Sequence, residues 1–283
     1  MRWLGPGVVA LAVALVVPLA GCSATDAQEP RAATTSPSVR AALPSLAPAP
    51  ASPSPVPTPA PAPPPAPAPA PVVVLDPGHN GGNGAHPEVV NAPVPDGAGG
   101  TKPCNTTGTE TNAGYPEHAF TWDVALRMRD RLTAAGVHVV LTRQDDAGVG
   151  PCVDVRGQLG GQVGAAAFVG IHGDGAAAGG RGFHVITSSL APAGPEVAAR
   201  SSALATAVRD AMTAVEPVST YTGTNGLNPR RDLAGLNLNQ VPAIYVECGN
   251  MRNAADAALM SGADGRDAIA AQLTAGVLTF LGR

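Results

Sequence analysis

Four side chains in this 283-residue chain stand where hydrolytic chemistry could gather: His79, Glu117, His172 and Glu247. His79 follows the apolar run Val72-Val73-Val74-Leu75, which reads as a buried strand running into a turn. His172 follows a second apolar run, residues 166–171, and Glu247 nearly ends a third, residues 243–248. Glu117 opens a helix and can face the same edge. Open α/β sheets bind ligands outside the carboxyl ends of their strands, so the fold would draw these groups together. Zinc accepts imidazole and carboxylate donors, and a catalytic zinc site uses three protein ligands with one position left open for water. The pattern is scattered, with no compact H-E-x-x-H motif. A lone histidine in a loop is usually only solvated or hydrogen-bonded, and Glu117 by itself reads first as an acid stabilised by a helix dipole. His138 and His184 fall inside strands and read as structural, while His86 lies in a loop.

The elements that must position these residues follow from periodicity. A long loop, residues 80–115, is rich in Gly, Pro, Asn and Thr, and loops of that length are often functional. A helix is expected over 117–135, with Phe120, Val124, Met128 and Leu132 on one side and Gly136 ending it. Strands are expected at 137–142 and 182–187, and helices at 153–163, 196–215 and 266–281, the last burying Ile269, Leu273, Val277 and Phe280. Residues 219–239 read as a polar loop. Strands alternating with helices predict a single α/β domain with a mixed, mostly parallel twisted sheet of about five or six strands, helices covering both faces.

The start of the chain reads as an address. Met1-Arg2 precedes an apolar run from Trp3 to Ala20, and Leu19-Ala20-Gly21-Cys22 places small residues before a cysteine. Residues 1–21 are expected to be a secretory signal, and the sequence around Cys22 resembles the lipobox of bacterial lipoproteins, which implies that Cys22 is acylated. An ordinary signal peptide followed by a cysteine is the plainer alternative. Residues 22–71 are Ala/Ser/Thr-rich and then Pro/Ala-rich, which is the composition of a semi-rigid stalk. At ~3.1 Å per residue its proline-rich part would reach on the order of 90 Å. The remainder, 72–283, is long enough for one substantial core. With a net charge of −4, nothing points to nucleic acid or an anionic membrane surface as partner. Of the four cysteines, Cys104 and Cys152 lie in polar loops and are expected to pair in an exported domain, leaving Cys248 as a buried, inert thiol.

Several segments resemble one family. Val74-Leu75-Asp76-Pro77-Gly78-His79-Asn80-Gly81-Gly82 is similar to the opening of the zinc N-acetylmuramoyl-L-alanine amidases of the amidase-3 type. Glu117 after the long loop, Val139-Val140-Leu141-Thr142-Arg143, Val169-Gly170-Ile171-His172 and Val241-Pro242-Ala243-Ile244-Tyr245-Val246-Glu247-Cys248-Gly249-Asn250 match further motifs in the family's order. The resemblance covers essentially all of 72–283 and is nearest to the single-domain amidases of mycobacteria and relatives. It implies one zinc ion held by His79, Glu117 and His172, with Glu247 as the catalytic carboxylate. Zinc would activate water and polarise the scissile carbonyl. Glu247 would move a proton from the water to the departing amine of L-alanine, freeing the stem peptide of peptidoglycan from N-acetylmuramic acid.

Departures leave choices open. Gly-Asp-Gly follows His172 where the family more often has Ala-Asn or Ala-Asp, so the part played by Asp174 is open. Glu110, in the loop that leads to Glu117, is its rival; Glu117 is favoured because the amphipathic helix starts there and fixes its direction. Arg230 and Arg231 are candidates for binding the peptide's carboxylates, against the commoner reading of solvated loop arginines. A zinc peptidase acting on peptidoglycan peptides and a non-catalytic peptidoglycan-binding lipoprotein are the competing functions. The expected setting is the outer face of the cytoplasmic membrane or the cell wall, with a lipid as the sole membrane attachment and the chain a monomer.

Overall fold

The computed structural model describes residues 69–283. The expected leader 1–21, the lipidation site Cys22 and the stalk up to residue 68 lie outside the described residues. Along the chain come β1 (Val72–Pro77), α1 (Pro87–Val90), β2 (Pro93–Pro95), β3 (Thr101–Pro103), α2 (Glu117–Ala134), β4 (His138–Leu141), α3 (Val153–Gln162) and β5 (Ala167–Asp174). They are followed by β6 (His184–Ser188), α4 (Gly194–Met212), β7 (Leu227–Arg230), α5 (Ala234–Asn237), β8 (Ala243–Asn250), α6 (Ala254–Ser261) and α7 (Ala263–Leu281). Among the described residues no helix is long and apolar enough to cross a membrane.

Six strands form one sheet in the order β4-β1-β5-β8-β6-β7. The first four are mutually parallel, β6 runs antiparallel to β8, and β7 is parallel to β6. This is the mixed, mostly parallel α/β sheet expected, and its long central strands are nearly all buried because helices cover both faces. Side chains alternate along a strand, and the two cores record it. Val73 and Leu75, Val169 and Ile171, and Ile244 and Val246 face α2, α4 and α7. Val74, Phe168, Ala243 and Tyr245 face the opposite side, with Leu159 of α3 and Leu236 of α5. The stripe Phe120, Val124, Met128 and Leu132 of α2 is fully buried, as its four-residue spacing requires.

That alternation sorts the polar residues near the strand ends. Asp76 shares the side of Val74, His172 that of Phe168, Glu247 that of Tyr245, and His184 that of Ile186. All four stand on the face covered by α3 and α5.

The long loop holds more structure than its composition implies. A 3-10 turn over Asn83–Ala85, the single-turn α1 and the β2–β3 hairpin are too short to leave a periodic trace. The 219–239 segment likewise contains β7 and α5, and a separate helix, α6, precedes α7. The β7 sequence Leu-Asn-Pro-Arg carries a proline in its interior, which an edge strand tolerates because it has an unpaired side, and β7 is the edge.

Candidate active site

The His79 backbone lies in the left-handed region, φ 59°, a conformation a non-glycine residue holds only when its surroundings impose it. It turns the imidazole back over the sheet edge. The His79 ring Nδ1 is 3.0 Å from the Thr106 carbonyl oxygen, which only accepts, so Nδ1 donates and Nε2 is left to face Glu117 Oε1 at 3.0 Å. His172 Nδ1 approaches the same carboxylate oxygen, also at 3.0 Å. Backbone N–H groups secure the carboxylate: Gly173 donates to Oε1 at 3.1 Å and Thr109 to Oε2 at 2.9 Å. Gly78 must lack a side chain, because a Cβ there would land on the His172 ring.

Three potential donor atoms of His79, Glu117 and His172 therefore lie within 4.8 Å of one another. Acceptor lone pairs converging this closely need a positive charge among them. Burial works against charge on Glu117, but His79 and His172 prevail and hold its carboxyl far below the usual carboxylate range. Burial likewise pulls the His79 imidazolium down, and the Glu117 carboxylate more than offsets it, so the His79 pKa is raised. A divalent cation fits the same place: two imidazoles and a carboxylate, oriented by outer hydrogen bonds, are a donor set for zinc-like metals.

Glu247 adjoins this group. It is the register partner of His172 across β5 and β8, and of His184 across β8 and β6. Its Oε2 is buried with no hydrogen-bond partner among the described residues. Burial pushes its carboxyl up to about 8, with His172 opposing and Glu117 and Asp174 adding to the rise. The four residues open onto a cavity of about 420 Å³, whose walls include Lys102 of the hairpin, the 105–109 loop, Asp174 and Tyr245.

The family model described as N-acetylmuramoyl-L-alanine amidase matches residues 73–279.

The chain belongs to the N-acetylmuramoyl-L-alanine amidase family.

The amidase is 48% identical over 211 residues to the N-acetylmuramoyl-L-alanine amidase Rv3717 of Mycobacterium tuberculosis, spanning 74% of this chain and 86% of that protein. The crystal structure of the N-acetylmuramyl-L-alanine amidase Ami1 from Mycobacterium smegmatis superposes with a TM-score of 0.72 at 47% identity, over 76% of this chain and 98% of the other. The apo form of Ami1 from Mycobacterium abscessus gives a TM-score of 0.71 at 45% identity, over 76% of this chain and 100% of the other.

Within the amidase, Glu110 is exposed and pairs through its backbone with Pro116, away from the cavity, so of the two rival glutamates it is Glu117 that meets the histidines. Asp174 lines the cavity and accepts a hydrogen bond from the Tyr221 hydroxyl at 3.0 Å. Arg230 ends β7 in an ion pair with Asp232 at 2.5 Å, and Arg231 is exposed; neither lines the cavity. Cys104 and Cys152 form a disulfide that ties the loop before Thr106 to the start of α3. Cys248 is buried, and burial raises its thiol well above the ordinary range. His138 is exposed, and His86 pairs with Glu88 on the surface.

Beneath the cavity runs a set of polar residues that periodicity alone did not single out. Asp76 accepts from Arg156 Nε and from Thr142 Oγ1, both at 2.6 Å. Arg143 Nε donates to the Pro77 carbonyl at 3.0 Å, and Thr121 Oγ1 donates to that of Gly78 at 2.8 Å. The available signal was a charge inside an apolar context: Asp76 closing a buried strand, and Arg156 as the lone basic residue of α3.

Proposed function

We propose that this amidase is a zinc-dependent hydrolase that cuts the amide bond between N-acetylmuramic acid and the L-alanine of the peptidoglycan stem peptide. The observation that carries the reading is the meeting of His79, Glu117 and His172 around one point, with a buried Glu247 oxygen beside them that has no partner among the described residues, in a chain of this family. His79, Glu117 and His172 would hold one zinc ion. Bound there, zinc would supply Lewis acidity, making water a nucleophile at neutral pH and polarising the scissile carbonyl.

The chain's own residues supply the rest. Thr106 fixes the His79 tautomer, and the Thr109 and Gly173 amides fix the Glu117 carboxylate, so the donor set is oriented in advance. Glu247 takes a proton from the attacking water at its free carboxylate oxygen. It then gives that proton to the amine nitrogen of L-alanine as the C–N bond breaks. Burial of the Glu247 carboxyl disfavours its charged form and so favours its uptake of the proton from water. The cavity wall formed by Lys102 and the disulfide-tied loop gives the peptide a place to lie.

The expected signal, the lipid on Cys22 and the stalk fit this reading, because the substrate lies outside the cytoplasmic membrane. They rest on the sequence of residues 1–71 alone. The test is digestion of purified peptidoglycan by the full chain, with and without a zinc chelator. Mass spectrometry should find free lactyl carboxyl groups and peptides beginning at L-alanine, with activity lost to chelation and restored by zinc. Shortened stem peptides would make the chain a peptidase, and no turnover with zinc bound would make it a binding protein.

A further inference from the structure

We infer that Arg156, a residue of α3 distant in sequence from the proposed metal ligands, is a positioning residue that holds His79 in its ligand orientation. The inference rests on the zinc reading above.

The turn from β1 to His79 is where the geometry is least forgiving. His79 occupies the left-handed region at φ 59°, and such a conformation persists in a non-glycine residue only when its neighbours over-determine it. Arg156 is 3% exposed, and its planar guanidinium spans the turn. Nε donates to the Asp76 carboxylate at 2.6 Å, Nη2 to the Pro77 carbonyl, and Nη1 reaches the His79 carbonyl at 3.4 Å. One rigid fork thus touches three of the four residues from Asp76 to His79. Charge neutralisation would need only the Asp76 contact. A buried ion pair is in any case weak evidence for stability, since well-packed apolar replacements often do as well. The two further donors aimed at backbone carbonyls have a different consequence: they set the path of the chain into His79.

Arg156 is itself anchored. Its amide donates to the Cys152 carbonyl at 3.0 Å, and Cys152 is bonded to Cys104, two residues before the Thr106 carbonyl that receives the His79 ring. The backbone of His79 and its imidazole are therefore held by two segments that the disulfide joins.

The test uses the full chain as wild type, as Arg156→Lys and as the double variant Asp76→Asn, Arg156→Gln. Lysine keeps the charge beside Asp76 but cannot reach the carbonyls as a fork, and the double variant leaves no unpaired buried charge. Zinc affinity is measured by competition with a chromophoric chelator, and the visible spectrum of the cobalt(II)-loaded protein reports ligand geometry. Both variants should bind zinc roughly 10- to 100-fold more weakly, the range for loss of outer-shell support, with displaced cobalt bands and unchanged far-ultraviolet circular dichroism. A folded variant with wild-type zinc affinity and cobalt spectrum overturns the inference. So does failure of both variants to fold, which would make Arg156 a residue of the core first. Absence of zinc binding by the wild type would instead sink the metal reading itself, and this inference with it.

Discussion

His172 and Glu247 stand opposite one another on adjacent parallel strands, in register and on the same face of the sheet. One side chain points at the Glu117 carboxylate, and the other keeps a buried oxygen without a hydrogen-bond partner among the described residues. The two roles are thus separated by a single strand spacing. Glu247→Gln should lower turnover by roughly 10²- to 10⁴-fold, the span for loss of a general acid–base, while zinc content by atomic absorption stays at the wild-type level. Loss of zinc along with activity would place Glu247 among the ligands instead.

Gly78 makes a separate prediction because it carries no donor or charge. A methyl group there would meet the His172 ring, and the ring has little room to retreat against Tyr245, whose centroid is 5.0 Å away. Gly78→Ala should weaken zinc binding by about tenfold or more without loss of secondary structure. Equilibrium dialysis against zinc and circular dichroism measure the two effects independently.

The Cys104–Cys152 bridge closes a loop with a sequence separation of 48. In the chain-entropy model that constraint is worth about 4 kcal/mol, so the double Cys→Ser variant should unfold at markedly lower denaturant. Because the bridge also fixes a wall of the cavity, KM for peptidoglycan should rise. Unaltered kinetics in a destabilised variant would confine the bridge to stability.

His184 gives the pH dependence a direction. Burial holds its imidazole down to about 4, against 6.5 for the ordinary group. As pH falls below 6.5 the unfolded chain takes up a proton that the native state refuses, so stability is full above that value and declines toward pH 4. The loss is at most about 3 kcal/mol from this group. Denaturation midpoints of His184→Phe and wild type should diverge across this window, with the variant less sensitive to acid. Parallel curves would mean that His184 is not buried in its neutral form.

Much of this was legible in the sequence for a physical reason. Long buried elements must show their periodicity, so β1, α2, β5, β8 and α7 are visible as runs or stripes, and a histidine or glutamate ending such a strand falls at the sheet edge by residue order alone. Short elements have no period to display. The single turn of α1 is too short for one, the β2–β3 hairpin, α5 and β7 are held by partners far along the chain, and the expected loop at 219–239 hid two of them.

Residue order alone determined which side chains were available to the site and on which face of each strand they would fall, since alternation along a strand is a local property of the backbone. Only the tertiary structure decided that Arg156 and Thr106 both hold His79 and that Arg230 pairs with Asp232. Those outcomes depend on loop paths and on distances between segments dozens of residues apart, and local periodicity carries no information about either.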